Sequence, residues 1–379
     1  MRILVSAGEA SGDLYAARVV EILKARLPDA EFFGCAGPRM QAAGVRPVVD
    51  QRSLAVVGIV EVLGHLPRIW GEFQKLVRAA AIEKPDLAIL TDAPDFHLRV
   101  AKKLKRLGIP VIYLIAPQAW AWREGRVKGM RETIERLLCI FPFEERFFSD
   151  RGVPTTYIGH PLARLVKPSL TRAELLAKLG LPGDSRLLAV LPGSRHGEAS
   201  RHLPVLLEAI QRIRERHNLT PVLAFPAGFD AINWEPNSTA AIQKVEGHTW
   251  DVLAQADLAL AKSGTVTMEA ALLGTPMVTF YRVNALSWYS ARWMVTAPFV
   301  SMANLVAERR IVPELIQHDM TAGKIAAEAI RLLEDAGARE TMRKDLAEVA
   351  SKLGSERDPM ELAADWVERV LSDHTAQVQ

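Results

Sequence analysis

Cysteine is nearly absent: Cys35 and Cys139 are the only two in 379 residues, and they lie far apart. That excludes a disulfide framework, and without ligand-spaced company it excludes a cysteine-built metal site. Two thiols left reduced suit a cytoplasmic chain. No uninterrupted apolar run reaches the ~18 residues that would cross a bilayer, so any membrane contact is expected at the surface. MRILVSAG runs straight into an apolar strand, and no signal peptide is expected ahead of it. Excess charge is missing too. A net charge of +3 is too small to imply a nucleic-acid partner, although it leaves room for a basic face toward an anionic lipid surface or a phosphate. The first strand is not followed by G-x-G-x-x-G, which disfavours a nicotinamide or flavin site. There is no Asp-x-Asp triplet and no His/Cys/carboxylate cluster, so neither metal nor cofactor is expected.

What is present reads as a globular α/β protein. With 49% hydrophobic and 24% charged residues, the chain can bury more than one core, and its length predicts about two domains. The strand-helix series starts twice. Arg2 to Ala7 opens the first, which continues through Glu31 to Gly37, a strand running into Asp92, Ile109 to Leu114, Leu137 to Phe141, and a last short strand ending in Tyr157-Ile158-Gly159-His160-Pro161. Composition then turns to proline, glycine and polar residues from Leu162 to Ser185, which reads as an interdomain connection. Leu187 to Leu191 opens the second series, Pro221 to Phe225 follows, and helices over 321–335, 337–353 and 359–372 close the chain. Two starts of this kind predict two doubly wound domains.

Two turns in the second series suit a diphosphate. Residues 257–278, DLALAKSGTVTMEAALLGTPMV, run strand, turn, short helix, turn, strand. Ser263 or Thr265 can cap the helix, Gly274 can stop it in a left-handed conformation, and Pro276 forbids continuation. First-turn amides and the helix dipole at Ser263-Gly264-Thr265 can receive a phosphate, with Glu269 one turn on for ribose hydroxyls. The same residues would also serve as a plain structural turn. Gly193-Ser194-Arg195 repeats the pattern after Leu191, and the planar guanidinium of Arg195 can clamp two phosphates. In the first series, GEASGD places Gly8, Ser11 and Gly12 in a tight turn at a strand end, either touching a ligand or simply needing small residues. Asp92, at the end of another strand, is the candidate general base; either it or Asp95 could instead cap the next helix, and capping is read for Asp95, catalysis for Asp92, and a solvent-facing place for His97. Trp120, Trp122, Arg123, Arg126, Lys128 and Arg131 make an aromatic-basic row suited to a phosphorylated lipid or anionic interface, or else a solvated helix face. The apolar Leu54–Phe73 stretch is either core or a surface for acyl chains or membrane. Asn304 is a polar point ending an aromatic segment.

GEASGD, AGPRM, GIVEVLG, DAPDF, WAWR, FPFE, GHPL, LPGSR, SGT with a following glutamate, PMV with YR, and VS-x-x-NL occur in the order seen in lipid A disaccharide synthases. The chain resembles that family over about residues 1 to 315. It departs from the usual pattern at APQAWAW, at HGEAS after GSR, and at Ala303. The resemblance implies a GT-B glycosyltransferase: two Rossmann-like domains with an interdomain cleft. The expected division is residues 1–163, completed by a final helix at about 355–379, for the acceptor, and 164–354 for the UDP-donor. It further implies condensation of UDP-2,3-diacylglucosamine with 2,3-diacylglucosamine 1-phosphate at the cytoplasmic face of the inner membrane. By similarity, Asp92 is the base and Asn304 a further functional residue. Arg195 and Ser263-Gly264-Thr265 then hold the diphosphate, and Glu269 the ribose. A UDP-GlcNAc epimerase, another GT-B transferase with a soluble acceptor, or a nucleotide-sugar sensor without chemistry would share the diphosphate turns. None of these three needs an acyl-binding surface.

Overall fold

The computed structural model describes residues 1–54, 59–122, 124–226, 229, 242–284, 288 and 297–378, with backbone alone at 59–66, 375, 377 and 378. Arg123 therefore lies outside the described residues, as do residues 55–58 of the apolar stretch, most of the segment 226–247 and half of the segment 284–305. The chain divides into two compact units, Met1–Pro161 with Ser355–Gln379, and Leu162–Gly354. Residues Leu162 to Ser185, expected as a connection, pack into the second unit instead. The segment carries the helices Leu162–Leu165 and Arg172–Lys178, and between them Ser169 and Leu170 give their backbone N–H groups to Asp251 Oδ1, at 2.5 and 2.7 Å.

The first unit is built on seven parallel strands: β1 Arg2–Ala7, β2 Glu31–Ala36, β3 Arg46–Asp50, β4 Leu87–Thr91, β5 Val111–Leu114, β6 Arg136–Cys139 and β7 Thr155–Tyr157. Their order is β3-β2-β1-β4-β5-β6-β7. The second unit has six: β8 Leu187–Leu191, β9 Thr220–Phe225, β10 Gln243–Glu246, β11 Leu258–Lys262, β12 Met277–Tyr281 and β13 Glu314–Ile316. Their order is β10-β9-β8-β11-β12-β13, again all parallel. Both sheets thus run outward from a first strand in two directions, and ligands in such sheets bind past the strands' carboxyl ends where the order reverses. That switch point falls between β1 and β4 in one unit and between β8 and β11 in the other.

The central strands form because they are continuous apolar runs suited to burial on both faces; every residue of β4, β5 and β8 is buried. The helix Pro94–Arg106 shows the complementary pattern. Phe96, His97, Val100, Ala101 and Leu104 are buried, while Lys102, Lys103, Lys105 and Arg106 face solvent. Burying each large apolar side chain contributes about 1.5–3 kcal/mol. Phe73, from the end of the apolar stretch, joins the core of the first unit, with Trp70 stacked on it and 55% exposed. Part of that stretch is core and part is surface. Among the described residues no helix is long and apolar enough to cross a membrane.

The helix Pro359–Val378 packs on the helix Ala10–Arg26. Arg26 bonds Glu361, Asp365 and Glu368, and the Arg136 guanidinium lies 4.1 Å above the Trp366 ring. A chain end that has crossed from the second series is in this way fastened to the first unit by charge and by an aromatic face.

Candidate active site and diphosphate pocket

Eight of the eleven motifs that carry the family resemblance fall past the carboxyl end of a strand. GEASGD follows β1, AGPRM β2, DAPDF β4, WAWR β5, FPFE β6, GHPL β7, LPGSR β8 and SGT β11. The register explains the pairing at the two switch points. Ala7 lies opposite Thr91, which sets Gly8 beside Asp92. Leu191 lies opposite Ala261, which brings the Gly193 turn level with the Ser263 turn.

In the first unit Asp92 is held from two sides. Its carboxylate accepts the N–H of Gly8 on Oδ1 at 2.6 Å and that of Glu9 on Oδ2 at 3.0 Å, at the positive end of the helix Ala10–Arg26. Gly8 and Gly12 are small because the carboxylate occupies the space of a side chain: a Cβ on Gly12 would stand 1.8 Å from Oδ2. The backbone of Asp92 is left-handed, φ 51°, and so is that of Ala93 at 36°, a conformation costly for residues with a Cβ. Two donors fix it there. Tyr113 gives its hydroxyl to the Asp92 carbonyl at 2.5 Å, and His97 Nδ1 lies 3.0 Å from the same oxygen. A carbonyl can only accept, so Nδ1 carries the proton and Nε2 accepts from the Ser6 hydroxyl at 2.7 Å. Burial lowers the His97 pKa to about 4, so the ring is neutral at physiological pH.

Burial also pushes the Asp92 carboxyl up to about 7, against the opposing pull of the Gly8 and Glu9 amides; the charges of Glu9 and Asp13 add to the rise. A carboxylate titrating near neutrality, its side chain 15% exposed, is suited to accept a proton from a hydroxyl.

Three expectations need correction here. His97, read as solvent-facing, is fully buried behind Asp92. Asp95 is not the helix cap, which is Ala93; it pairs with Arg126 instead. Arg126 also lies over the Trp122 ring, so that part of the aromatic-basic row is bound into the protein. Trp120 donates Nε1–H to Glu144 Oε1 at 2.9 Å, and burial raises the Glu144 carboxyl to about 8. WAWR and FPFE are in this way one assembly. Ser11 is exposed in the first turn after Glu9, while Asp13 is buried and accepts the N–H groups of Gly37, Arg39 and Met40, joining GEASGD to AGPRM.

In the second unit the two phosphate-type turns meet. A cavity of about 280 Å³ is lined by Gly193, Ser194, Arg195, Gly264, Thr265 and Glu269, together with Lys262, Thr249 and four apolar residues. The helices His196–Arg214 and Thr265–Leu272 begin at its wall, so two sets of first-turn amides and two positive helix ends border one space. Gly193 and Gly264 stand at φ 128° and 153°, a region that favours glycine. Glu269 forms part of the lining; its carboxyl is raised by burial and lowered by a hydrogen bond from Trp250.

Ser263 does not line the cavity. Its hydroxyl donates to the Val300 carbonyl at 2.7 Å, and the helix cap is Gly264, without a side-chain bond; neither Ser263 nor Thr265 serves as the cap. Asn304 is likewise inward. Its Nδ2 donates to Val312 O and Glu314 Oε1, and its Oδ1 accepts from the N–H groups of Ile311 and Val312. With all four hydrogen-bonding positions used and no exposure, Asn304 holds the loop before β13 and presents no atom to a ligand. Lys262 was missed by the sequence reading, although a single charge ending an apolar strand is a signal of its own. Among the described residues no group of three or more His, Cys, Asp or Glu could hold a metal ion.

Two parallel α/β units of this order make a GT-B fold, and the similarities agree. The chain superimposes on a glycotransferase of kitacinnamycin with a TM-score of 0.63 at 18% identity, covering 97% of this chain and 98% of that one. It matches UDP-GlcNAc 2-epimerase from Neisseria meningitidis bound to UDP-GlcNAc with a TM-score of 0.61 at 12% identity, covering 98% and 100%. Identities so low show the fold alone. Sequence is more specific. The profile of the family described as lipid-A-disaccharide synthetase matches residues 3–364, and the lipid-A-disaccharide synthase of Solibacter usitatus (strain Ellin6076) is 56% identical over 378 residues, covering 100% of this chain and 99% of that protein. The chain belongs to the lipid-A-disaccharide synthetase family, and is a glycosyltransferase of lipid A synthesis.

Proposed function

We propose that the enzyme condenses UDP-2,3-diacylglucosamine with 2,3-diacylglucosamine 1-phosphate by a single inverting displacement. The acceptor 6-hydroxyl oxygen attacks the anomeric carbon of the donor as its proton passes to Asp92. The bond from that carbon to the diphosphate oxygen breaks, and UDP leaves with the electron pair. The products are a β-1′,6-linked disaccharide 1-phosphate and UDP. The observation that carries this reading is the convergence of the Gly193 and Gly264 turns on one cavity that also holds Glu269. First-turn amides and two helix dipoles, fixed in place before the reaction starts, meet the charge that develops on the leaving diphosphate, and the exposed Arg195 side chain adds its guanidinium to them. Glu269 accepts from the ribose hydroxyls. An epimerase would also need a base but no second, acylated sugar, so dependence of UDP release on the acceptor separates the two; a sensor would have no use for the acid.

Glu269→Ala removes charge-assisted hydrogen bonds worth about 1.5–3 kcal/mol, so UDP binding by calorimetry should weaken about 10- to 100-fold. An affinity equal to wild type would place the ribose elsewhere. The carrying test is UDP release with defined donor and acceptor: release must need both, and the acylated pair must outperform its deacylated counterpart.

The acyl chains of both substrates belong to a membrane, and peripheral contact with the anionic inner membrane at its cytoplasmic face is part of the proposal. The exposed Trp70 of the Leu54–Phe73 stretch and the exposed Lys128 and Arg131 of the Trp120–Arg131 row are the surfaces for it. In liposome flotation the protein should rise with anionic vesicles and detach at high salt; protein that stays at the bottom with every lipid composition counts against this contact.

A further inference from the structure

The lysine that ends β11 carries an inference that rests on the UDP reading and goes past it. Lys262 Nζ lies 3.3 Å from Glu198 Oε2, both side chains being largely withdrawn from solvent, 17% and 14% exposed. The ammonium also lies 5.1 Å from the centre of the Tyr281 ring, and a Cβ on Gly264 would come within 3.2 Å of it. This is an unfavourable place for a cation. Gly264 caps the helix Thr265–Leu272 and Arg195 caps the helix His196–Arg214, and both helix ends are positive. A half-buried ammonium between them requires an anion, and Glu198, in the first turn of the longer helix, supplies it. The attachment is loose. Glu198 Oε2 takes part in no hydrogen bond, and its other oxygen stands 3.7 Å from Arg195 Nη1. Charge proximity holds this carboxylate, without the directed bonds that would make it hard to displace.

We propose that Glu198 is a built-in stand-in for the diphosphate. Between turnovers it neutralises Lys262 and Arg195. A nucleoside diphosphate displaces it from both, Lys262 turning to an oxygen of the distal phosphate. Glu198 then competes with the product for the same cations and hastens its departure. The pair therefore sets a preference for a diphosphate over a monophosphate, which lacks the distal phosphate that Lys262 contacts.

Calorimetry and stopped-flow dissociation with UDP and UMP test this on the full-length protein. Lys262→Met should bind UDP about 10- to 50-fold more weakly, with a much smaller change for UMP, and Lys262→Arg should restore UDP affinity to within about threefold. Glu198→Gln should bind UDP several-fold tighter and release it more slowly. Lys262→Met binding UDP as wild type does, or Glu198→Gln binding it more weakly, overturns the proposal while leaving the UDP reading intact. Wild-type protein that binds no UDP removes both.

Discussion

Asp92→Asn is expected to lower kcat by about 10³-fold and leave UDP affinity unchanged, because general base catalysis by a placed carboxylate contributes about 10²- to 10⁴-fold and the pocket proposed for UDP lies in the other unit. The pH profile follows from the same group. Asp92 must be ionised to take a proton, and burial places its pKa at about 7. kcat/KM should therefore rise tenfold per pH unit below that value and level off above it, and this limb should vanish in the variant. Stability should respond with the opposite sign. A carboxyl whose pKa is raised on folding favours the fold below its unfolded value near 4, and this contribution is lost as pH rises through 7. At pH 8 the ionised group costs up to roughly 4 kcal/mol. Asparagine carries no such charge, although it accepts only one of the two amide bonds. Thermal melts at pH 8 should accordingly show the inactive variant no less stable than wild type. Wild-type turnover by Asp92→Asn would end its assignment as the base, and a melt many degrees lower would make loss of fold the explanation.

Which parts of this arrangement could be read beforehand depended on how far apart the interacting residues lie in the chain. The central strands were legible as apolar runs. β3, β10 and β13 were not, being edge or near-edge strands with exposed or half-exposed residues and no alternation to mark them. Asp92 stood out because it is an acid at the carboxyl end of an apolar strand, where sheets of this kind bind their ligands. The purpose of Gly8 and Gly12 did not, since what they make room for is 84 and 80 residues away. His97 could have been placed: Val100, Ala101 and Leu104 follow it at i+3, i+4 and i+7, one face of a helix, and that face is the buried one. A polar residue on such a face invites the question of what it bonds to, here Ser6 and the Asp92 carbonyl. Asn304 and Ser263 show the reverse error. Both are polar residues beside a functional turn, and both are turned inward to backbone partners that no spacing reveals. That Gly193, Gly264 and Arg195 line one cavity agrees with the local signature of a turn between strand and helix, whereas Lys262 becomes intelligible only with its partner Glu198, 64 residues earlier.

The second large effect is expected at a residue with no functional group. Gly12→Ala should reduce kcat by about 10²-fold or more, the loss falling on chemistry and not on nucleotide binding. Gly12 lies inside the helix Ala10–Arg26, where alanine is favoured over glycine by about 1 kcal/mol, so the substitution does not weaken the helix. The collision is with the base. The new methyl would come 1.8 Å from Asp92 Oδ2, 2.8 Å from Cγ and 3.0 Å from the methyl of Thr91. Thr91 is fixed in β4, so the carboxylate must leave the Gly8 and Glu9 amides. A displacement of about 1 Å in a reacting group is enough for a 10²-fold loss. Gly129→Ala is the matched control, since a methyl there meets nothing within 4 Å and full activity is expected. Because the amides that lower the Asp92 pKa would no longer reach it, any residual activity of Gly12→Ala should show its pH limb shifted above 7. Activity near wild type with an unshifted limb would mean that the carboxylate does not work from the position it occupies against Gly12.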